Sequence, residues 1–222
     1  MSLFSWFKNL FSKKQKEEVK DIYTLSEKSL KLILQYEVGN KGYYNRFLDH
    51  PTYPQASSGV TIGIGYDLGY NSAETVKKDW KNFLSKKDLK RITSVVGYRG
   101  SVAESHAKRI SDIKIPWDSA VQVFQETTVP KFINYTLKAF PQCEDLHPDA
   151  FGALVSIVFN RGASMKGSRR SEMRNIRSLV PQKDYKSIAR EIRAMKRIWR
   201  GKGLDGLLKR REAEAILVES CI

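Results

Sequence analysis

The stretch SSGVTIGIGYDLG, residues 57–69, decides how this chain is read. If residues 60–67 are extended, Val60, Ile62 and Ile64 point into a core and Thr61, Gly63, Gly65 and Asp67 point the other way. That second face is nearly bare. Glycines inside a strand cost stability and mark close approach of something to the backbone, so the segment reads as the floor of a cleft on which a flat substrate rests. A tight hairpin that needs glycine is the structural alternative, and a turn at Tyr66 would redirect Asp67. A dinucleotide fingerprint fails, because Gly63-Ile-Gly65-Tyr-Asp-Leu68 lacks the third glycine and no acidic ribose ligand follows a βαβ unit.

Upstream, Thr24-Leu-Ser-Glu27 reads as a capping box, and Leu30, Ile33 and Leu34 recur at helical spacing. The spacing predicts a helix to about Val38, stopped by Gly39. Glu37 follows Ile33 by four residues and Leu30 by seven, which places its carboxyl on the apolar face of that helix. Burial there would raise its pKa and keep a proton available for donation to a leaving group. A buried glutamate paired with an arginine is the purely structural alternative. Residues 40–60 carry two prolines and Ser-Ser-Gly, which is loop chemistry.

Downstream, helices are expected over 75–84, 87–96 and 101–110, with a break at Gly97–Gly100. Another opens at Pro116 and runs through Phe124 until Pro130 interrupts it, with a further turn or two over 131–140. Residues 150–159 are apolar nearly all round, with Pro148 at the start and Gly162 at the end, so this helix is buried. It should form the spine of the C-terminal half, with 185–199 and 207–218 packed around it.

At 222 residues the chain can build one good core or two lobes sharing a long helix. No stretch approaches the ~18 uninterrupted apolar residues of a membrane span. Lysine and arginine number 39 against 24 acidic residues, a net +15 that concentrates polyanions. Nucleic acid, anionic lipid headgroups and the bacterial cell wall all qualify, but no basic helix is interleaved with stacking aromatics, so no specific nucleic acid is expected. Cys143 and Cys221 lack CxxC spacing and His50, His106 and His147 are scattered, so neither metal nor cofactor is expected. Leu3, Trp6, Phe7, Leu10 and Phe11 form one apolar stripe. Lys8, Lys13, Lys14 and Lys16 interrupt and follow it, unlike a secretory signal. Residues 3–11 therefore read as a helix lying on a membrane surface or carrier, or docked on the body of the protein. The chain divides into this lysine-rich segment, 1–21, and one domain, 22–222.

Taken together, Glu37, Thr61-Ile-Gly-Ile-Gly65, the FNRG of Phe159 to Gly162 and the GLLKRREAE of Gly206 to Glu214 resemble the phage-type lysozymes over roughly residues 25–220. In that family a catalytic Glu ends the first helix and a Thr-Ile-Gly-x-Gly strand follows. The best-known members carry a catalytic Asp nine residues after the Glu and six before the Thr. Those positions are Arg46 and Gln55 here, and neither can serve. The pesticin-like branch instead has its Asp six residues after the Thr, which is Asp67, favoured over Asp49.

The resemblance implies a mainly α, α+β two-lobed fold: a small hairpin-bearing lobe over about 37–110, a helical lobe over about 111–222, and a cleft between them. It implies a muramidase hydrolysing the β-1,4 bond between N-acetylmuramic acid and N-acetylglucosamine in peptidoglycan. Glu37 would protonate the glycosidic oxygen, Asp67 would stabilise the transition state or activate water, and Thr61 would position that water. Arg210 or Arg211 would pair with Glu37, or else be solvated or pair with Glu212 and Glu214. Tyr66, Asn160 and Arg211 are candidate substrate contacts, against a hinge-filling role for Tyr66 and a capping role for Asn160. The implied biology is a phage-derived endolysin or an antibacterial toxin. Such a protein is made in the cytoplasm without a signal peptide, acts in the periplasm after delivery, and is a monomer with an immunity or carrier protein as partner. A lytic transglycosylase and a non-catalytic wall- or nucleic-acid-binding protein on the same fold are the alternatives.

Overall fold

The computed structural model describes residues 24–222, and the stripe at residues 3–11 lies outside the described residues. In chain order the elements are α1 (Glu27–Val38), α2 (Lys41–Phe47), β1 (Thr61–Ile62), β2 (Tyr66–Asp67), α3 (Ala73–Trp80), α4 (Lys86–Thr93), α5 (Ser101–Arg109), α6 (Trp117–Val123), α7 (Val129–Ala139), α8 (Pro148–Arg161), α9 (Ser171–Leu179), α10 (Tyr185–Ala194) and α11 (Asp205–Glu219). The architecture is mainly α, with one two-stranded antiparallel sheet among the described residues.

The spine is α8, whose residues from Asp149 to Val158 are all buried. A helix apolar on every side must be enclosed by others, and α1, α7 and α11 enclose it. The approach of α1 is closest at Gly152, where a Cβ would lie 1.9 Å from Ser29 Oγ. Ser29 is itself buried and donates to the Asp149 carbonyl at 3.4 Å. Lys28 reinforces the contact through the Asp149 carboxylate at 3.1 Å. Capping of α1 falls to Ser26, which accepts from Ser29 N, rather than to Thr24.

The 60–67 segment is a hairpin, not a continuous strand. Thr61 pairs with Asp67 and Ile62 with Tyr66, leaving Gly63, Ile64 and Gly65 as the turn. Both glycines take the left-handed region, at φ 56° and 67°. The turn of Gly63 sits against Trp80 of α3, whose Cη2 would lie 2.9 Å from a Cβ at that position. The glycines therefore serve a reversal and a close packing contact, and the bare cleft floor expected from period-2 alternation is corrected. Val60, Ile62 and Ile64 do enter the core. Thr52 adds a third rung by exchanging both backbone hydrogen bonds with Thr61, at 2.9 and 2.8 Å.

Two further expectations change. The 40–60 loop contains α2, capped by Asn40 and anchored by Tyr44, whose buried hydroxyl donates to the Ile115 carbonyl at 3.0 Å. Pro130 does not end the helix that starts at Trp117. A π-helical turn over Phe124–Thr128 precedes it, with Val129 N donating to Phe124 O, and Pro130 then sits in the first turn of α7. The wider turn absorbs a residue that lacks an N–H and would clash with the carbonyl four residues back.

Gly152→Ala is expected to push α1 off α8 and cost about 1–3 kcal/mol, the range for overpacking a tight contact, measured by urea unfolding. Acid should also loosen the helical packing. Burial pushes the Asp149 carboxyl up, but Ser26 and Lys28 outweigh it and hold it below the usual range; Glu172 is held low in the same way by Arg197. A carboxyl lowered on folding favours the native state above the ordinary value of about 4 and loses that contribution as pH falls through the lowered value. The Tm should therefore be flat from about pH 7 to 5 and drop below about pH 4.

Candidate active site

Glu37 lies in the last turn of α1, where the helix leaves the core. Ile33 and Val38 face inward, while the Glu37 side chain is 27% exposed and its Oε1 accepts from Arg210 Nη1 at 2.6 Å. The sheltered apolar setting expected from the helix spacing is thus replaced by a guanidinium neighbour and open solvent. The periodicity is right for the middle of α1 and fails at its end, where Glu37 stays partly open to solvent. No hydrogen bond among the described residues engages Glu37 Oε2.

The arginine is built in from below. Arg210 is 2% exposed, and its Nη2 donates to Ser156 O and Oγ, both at 3.1 Å. Its Nε lies 3.3 Å from Glu214 Oε1, and its guanidinium sits over the Tyr36 ring at 5.7 Å. Ser156 Oγ also donates to Glu214 Oε1, at 2.6 Å. Arg211, at 0% exposure, spends its Nη2 on that same oxygen at 2.7 Å. Two buried guanidinium groups therefore share one buried carboxylate, and Glu37 at the rim supplies the second negative charge. Burial above all pushes the Arg211 guanidinium below its ordinary value, with Glu214 opposing and Arg210 adding to the drop.

This decides between the two arginines: Arg210 pairs with Glu37 and Arg211 does not. It also corrects the reading of Arg211 as a substrate contact, because a side chain with no accessible surface touches no polymer. Ser156 escaped the sequence reading, while Glu214 entered it as an alternative partner of the two arginines, both of which bond it. Ser156 interrupts the apolar run 150–159, and Glu214 stands four residues after Arg210 and three after Arg211, the spacings at which helical side chains meet.

Thr61 and Asp67 stand side by side across the hairpin. No hydrogen bond among the described residues engages the Thr61 hydroxyl. The Asp67 carboxylate accepts from Gly59 N at 3.0 and 3.1 Å and from Gly69 N at 2.7 Å, so it ties together the chain entering and leaving the hairpin while remaining partly exposed. Asp49 is engaged differently. Lys114 Nζ bonds both its oxygens, at 2.8 and 2.9 Å, and His50 Nδ1 lies 3.0 Å away. Burial pushes its carboxyl up, and these two partners more than reverse the effect, holding it below the usual range.

Tyr66 is 5% exposed, donates to Asp79 at 2.8 Å and meets the Trp80 ring edge-on. It fills the hairpin base, which corrects its reading as a sugar-stacking residue. Asn160 is exposed at the end of α8 and lines a groove of about 540 Å³ with Arg161, Lys166, Arg169 and Trp199. Gly162 caps α8 through its N–H to Val158 O at 2.7 Å, leaving the Asn160 amide to the groove.

One set of potential metal ligands converges among the described residues. His147 Nδ1, an Asp149 oxygen and Cys221 Sγ lie within 4.8 Å of one another, brought together by the start of α8 and the end of α11. These atoms already have partners: Lys28 holds the Asp149 carboxylate and Asp149 N–H donates to His147 Nδ1 at 3.2 Å.

A family model described as phage lysozyme matches residues 48–214. That span contains Thr61, Asp67, Asn160, Arg210, Arg211 and Glu214, and Glu37 precedes it. No curated protein matches the chain.

Removing the shared carboxylate should be severe. Glu214→Ala leaves two buried guanidinium groups without it, and the expected loss is about 3–5 kcal/mol in chemical unfolding, the scale of a broken buried ion pair.

Proposed function

The chain belongs to the phage lysozyme family, and from that premise we propose that it cleaves the β-1,4 bond between N-acetylmuramic acid and N-acetylglucosamine with Glu37 as general acid. Family membership already supports a lysozyme-type glycosidase acting on peptidoglycan. The observation that carries the finer reading is the Glu37–Arg210 contact: one carboxyl oxygen is fixed by a buried guanidinium and the other is free at the surface.

In this mechanism Glu37 Oε2 gives its proton to the glycosidic oxygen as the bond to the anomeric carbon breaks. The carboxylate left behind gains its charge beside Arg210, an interaction stronger after proton transfer than before, which is what lowers a barrier. Water adds to the anomeric carbon from the opposite face. Asp67 takes the water's proton, and the free Thr61 hydroxyl holds that water beside it. The net +15 draws the enzyme to the anionic wall, so activity falls with rising salt. The enzyme works on the wall after export or release, as an endolysin or a toxin.

One observation favours a second reading. The Asp67 carboxylate is already bonded to Gly59 N and Gly69 N, a structural task that leaves it less able to serve as base. A lytic transglycosylase needs only the glutamate, because a hydroxyl of the cleaved sugar replaces water and the product is an anhydro-sugar.

Mass spectrometry of digested peptidoglycan separates the two. Wild-type protein should release fragments with reducing N-acetylmuramic acid ends. Glu37→Gln should lower turnover by about 10²–10⁴, the usual weight of a positioned general acid. Asp67→Asn should also lower turnover, with a parallel thermal melt separating catalytic from structural loss. Anhydro-sugar ends with turnover retained in Asp67→Asn would establish the transglycosylase, and intact glycan after wild-type treatment would remove the enzymatic reading.

A further inference from the structure

The groove beside Asn160 carries a charge pattern that the proposed hydrolysis does not use. Its charged lining is Arg161, Lys166, Arg169 and Arg170, with no acidic residue among the lining side chains. Arg161 is the centre. Its guanidinium lies over Trp199 at 5.3 Å, its Nη2 donates to Arg169 O, and its Nη1 is buried with no hydrogen-bond partner among the described residues. Burial, then the charges of Arg170 and Arg211, push the Arg161 guanidinium down to about 10. Glu172, whose field opposes that drop, is bonded to Arg197.

The loop that forms one wall is prepared in the same sense. Carbonyl oxygens repel an anion, and several around this recess are engaged by arginines. Arg174 Nη1 donates to Met165 O at 2.8 Å and to Gly167 O at 2.9 Å. Arg197 Nη2 donates to Ser168 O at 2.9 Å, and Arg170 Nη2 donates to Arg161 O. The side chains of Lys166 and Arg169 are exposed, and no hydrogen bond or ion pair among the described residues engages either. Cations concentrated around a recess, without a carboxylate to answer them, attract an oxyanion that accepts several charge-assisted hydrogen bonds.

The groove is also joined to the candidate catalytic carboxyl. The guanidinium groups of Arg161 and Arg211 both lie over the Trp199 ring, at 5.3 and 5.7 Å. Arg211 shares Glu214 with Arg210, which holds Glu37. We infer that the groove lined by Arg161, Lys166 and Arg169 is an oxyanion subsite that grips a carboxylate or phosphate group of the cell-wall polymer whose glycan Glu37 cleaves. The identity of that polymer rests on the lysozyme reading, and the charge pattern does not.

Binding in a protein that cannot turn over keeps the two ideas separable. Glu37→Gln protein at about 0.15 M salt, where surface charges are screened within about 8 Å, is titrated calorimetrically with three probes. These are a peptidoglycan stem peptide with free carboxylates, the same peptide with its carboxylates amidated, and a polyglycerol phosphate. Lys166→Gln/Arg169→Gln is compared in the same background, with a thermal melt to establish folding. Both substitutions are on exposed side chains, so the fold should hold. The expected result is binding of at least one anionic probe, about tenfold or more weaker in the double variant, with the amidated peptide no better than that variant. The probe that loses affinity identifies the source as carboxylate or phosphate. Equal affinity of wild-type and double-variant protein for every probe, equal binding of charged and amidated peptide with none of the phosphate polymer, or no binding at all overturns the subsite. Failure of wild-type protein to cut peptidoglycan while the charge-dependent binding persists overturns the lysozyme reading alone.

Discussion

Two arginines and one glutamate, buried together at the junction of three helices, are the constraint from which the site follows. Arg210 and Arg211 come from α11 and meet Glu214 of the same helix, Arg210 and Glu214 both bond to Ser156 at the centre of α8, and Arg210 then reaches Glu37 on α1. Desolvating three charges is expensive, and such clusters seldom add net stability over apolar packing. Their effect is positional. A guanidinium with its donors shared among a carbonyl, a hydroxyl and two carboxylates has few alternative orientations, so α1, α8 and α11 are held in one relative register and the Glu37 carboxyl in one direction. The imbalance inside the cluster, two cations to one buried anion, is what makes the rim glutamate part of its electrostatics.

A second anchor sets the hairpin. The hairpin turn is pressed on Trp80, Tyr66 is bonded to Asp79 beneath it, and Asp67 clasps the hairpin's entry and exit. These contacts place Thr61 and Asp67 on a rigid platform. They also give Asp67 structural work, which is the physical source of the tension between hydrolysis and transglycosylation. The same economy recurs at the basic groove, where arginines bonded to loop carbonyls both fix the loop and set its charge.

Much of the architecture was legible. The buried helix at 150–159 announced itself by being apolar on every face, and the signature from Glu37 through Thr61 to the GLLKRREAE run identified the family. Other readings failed for identifiable reasons. Strict alternation over 60–67 mimics a strand, because a three-residue turn flanked by two-residue strands keeps Val60, Ile62 and Ile64 on the buried side. Glu37 falls on the apolar face by spacing, yet periodicity does not reveal where a helix outruns its neighbours. Pro130 is a helix breaker by local rule, and a π-turn sidestepped the rule.

By itself, the sequence determined most of the helices, the family and the identities of the acidic and basic side chains available for chemistry, because hydrophobic period, caps and motif spacing are local properties of the chain. Only the tertiary structure decided which partners those charges take: Arg210 rather than Arg211 for Glu37, the backbone of Gly59 and Gly69 for Asp67, and backbone carbonyls for Arg161 and Arg170. Residues separated by 173 positions, as Arg210 and Glu37 are, meet only through the packing of α1 and α11 around α8. Strength of a charge pair depends on that separation and on the water excluded between its members, and neither quantity is written along the chain.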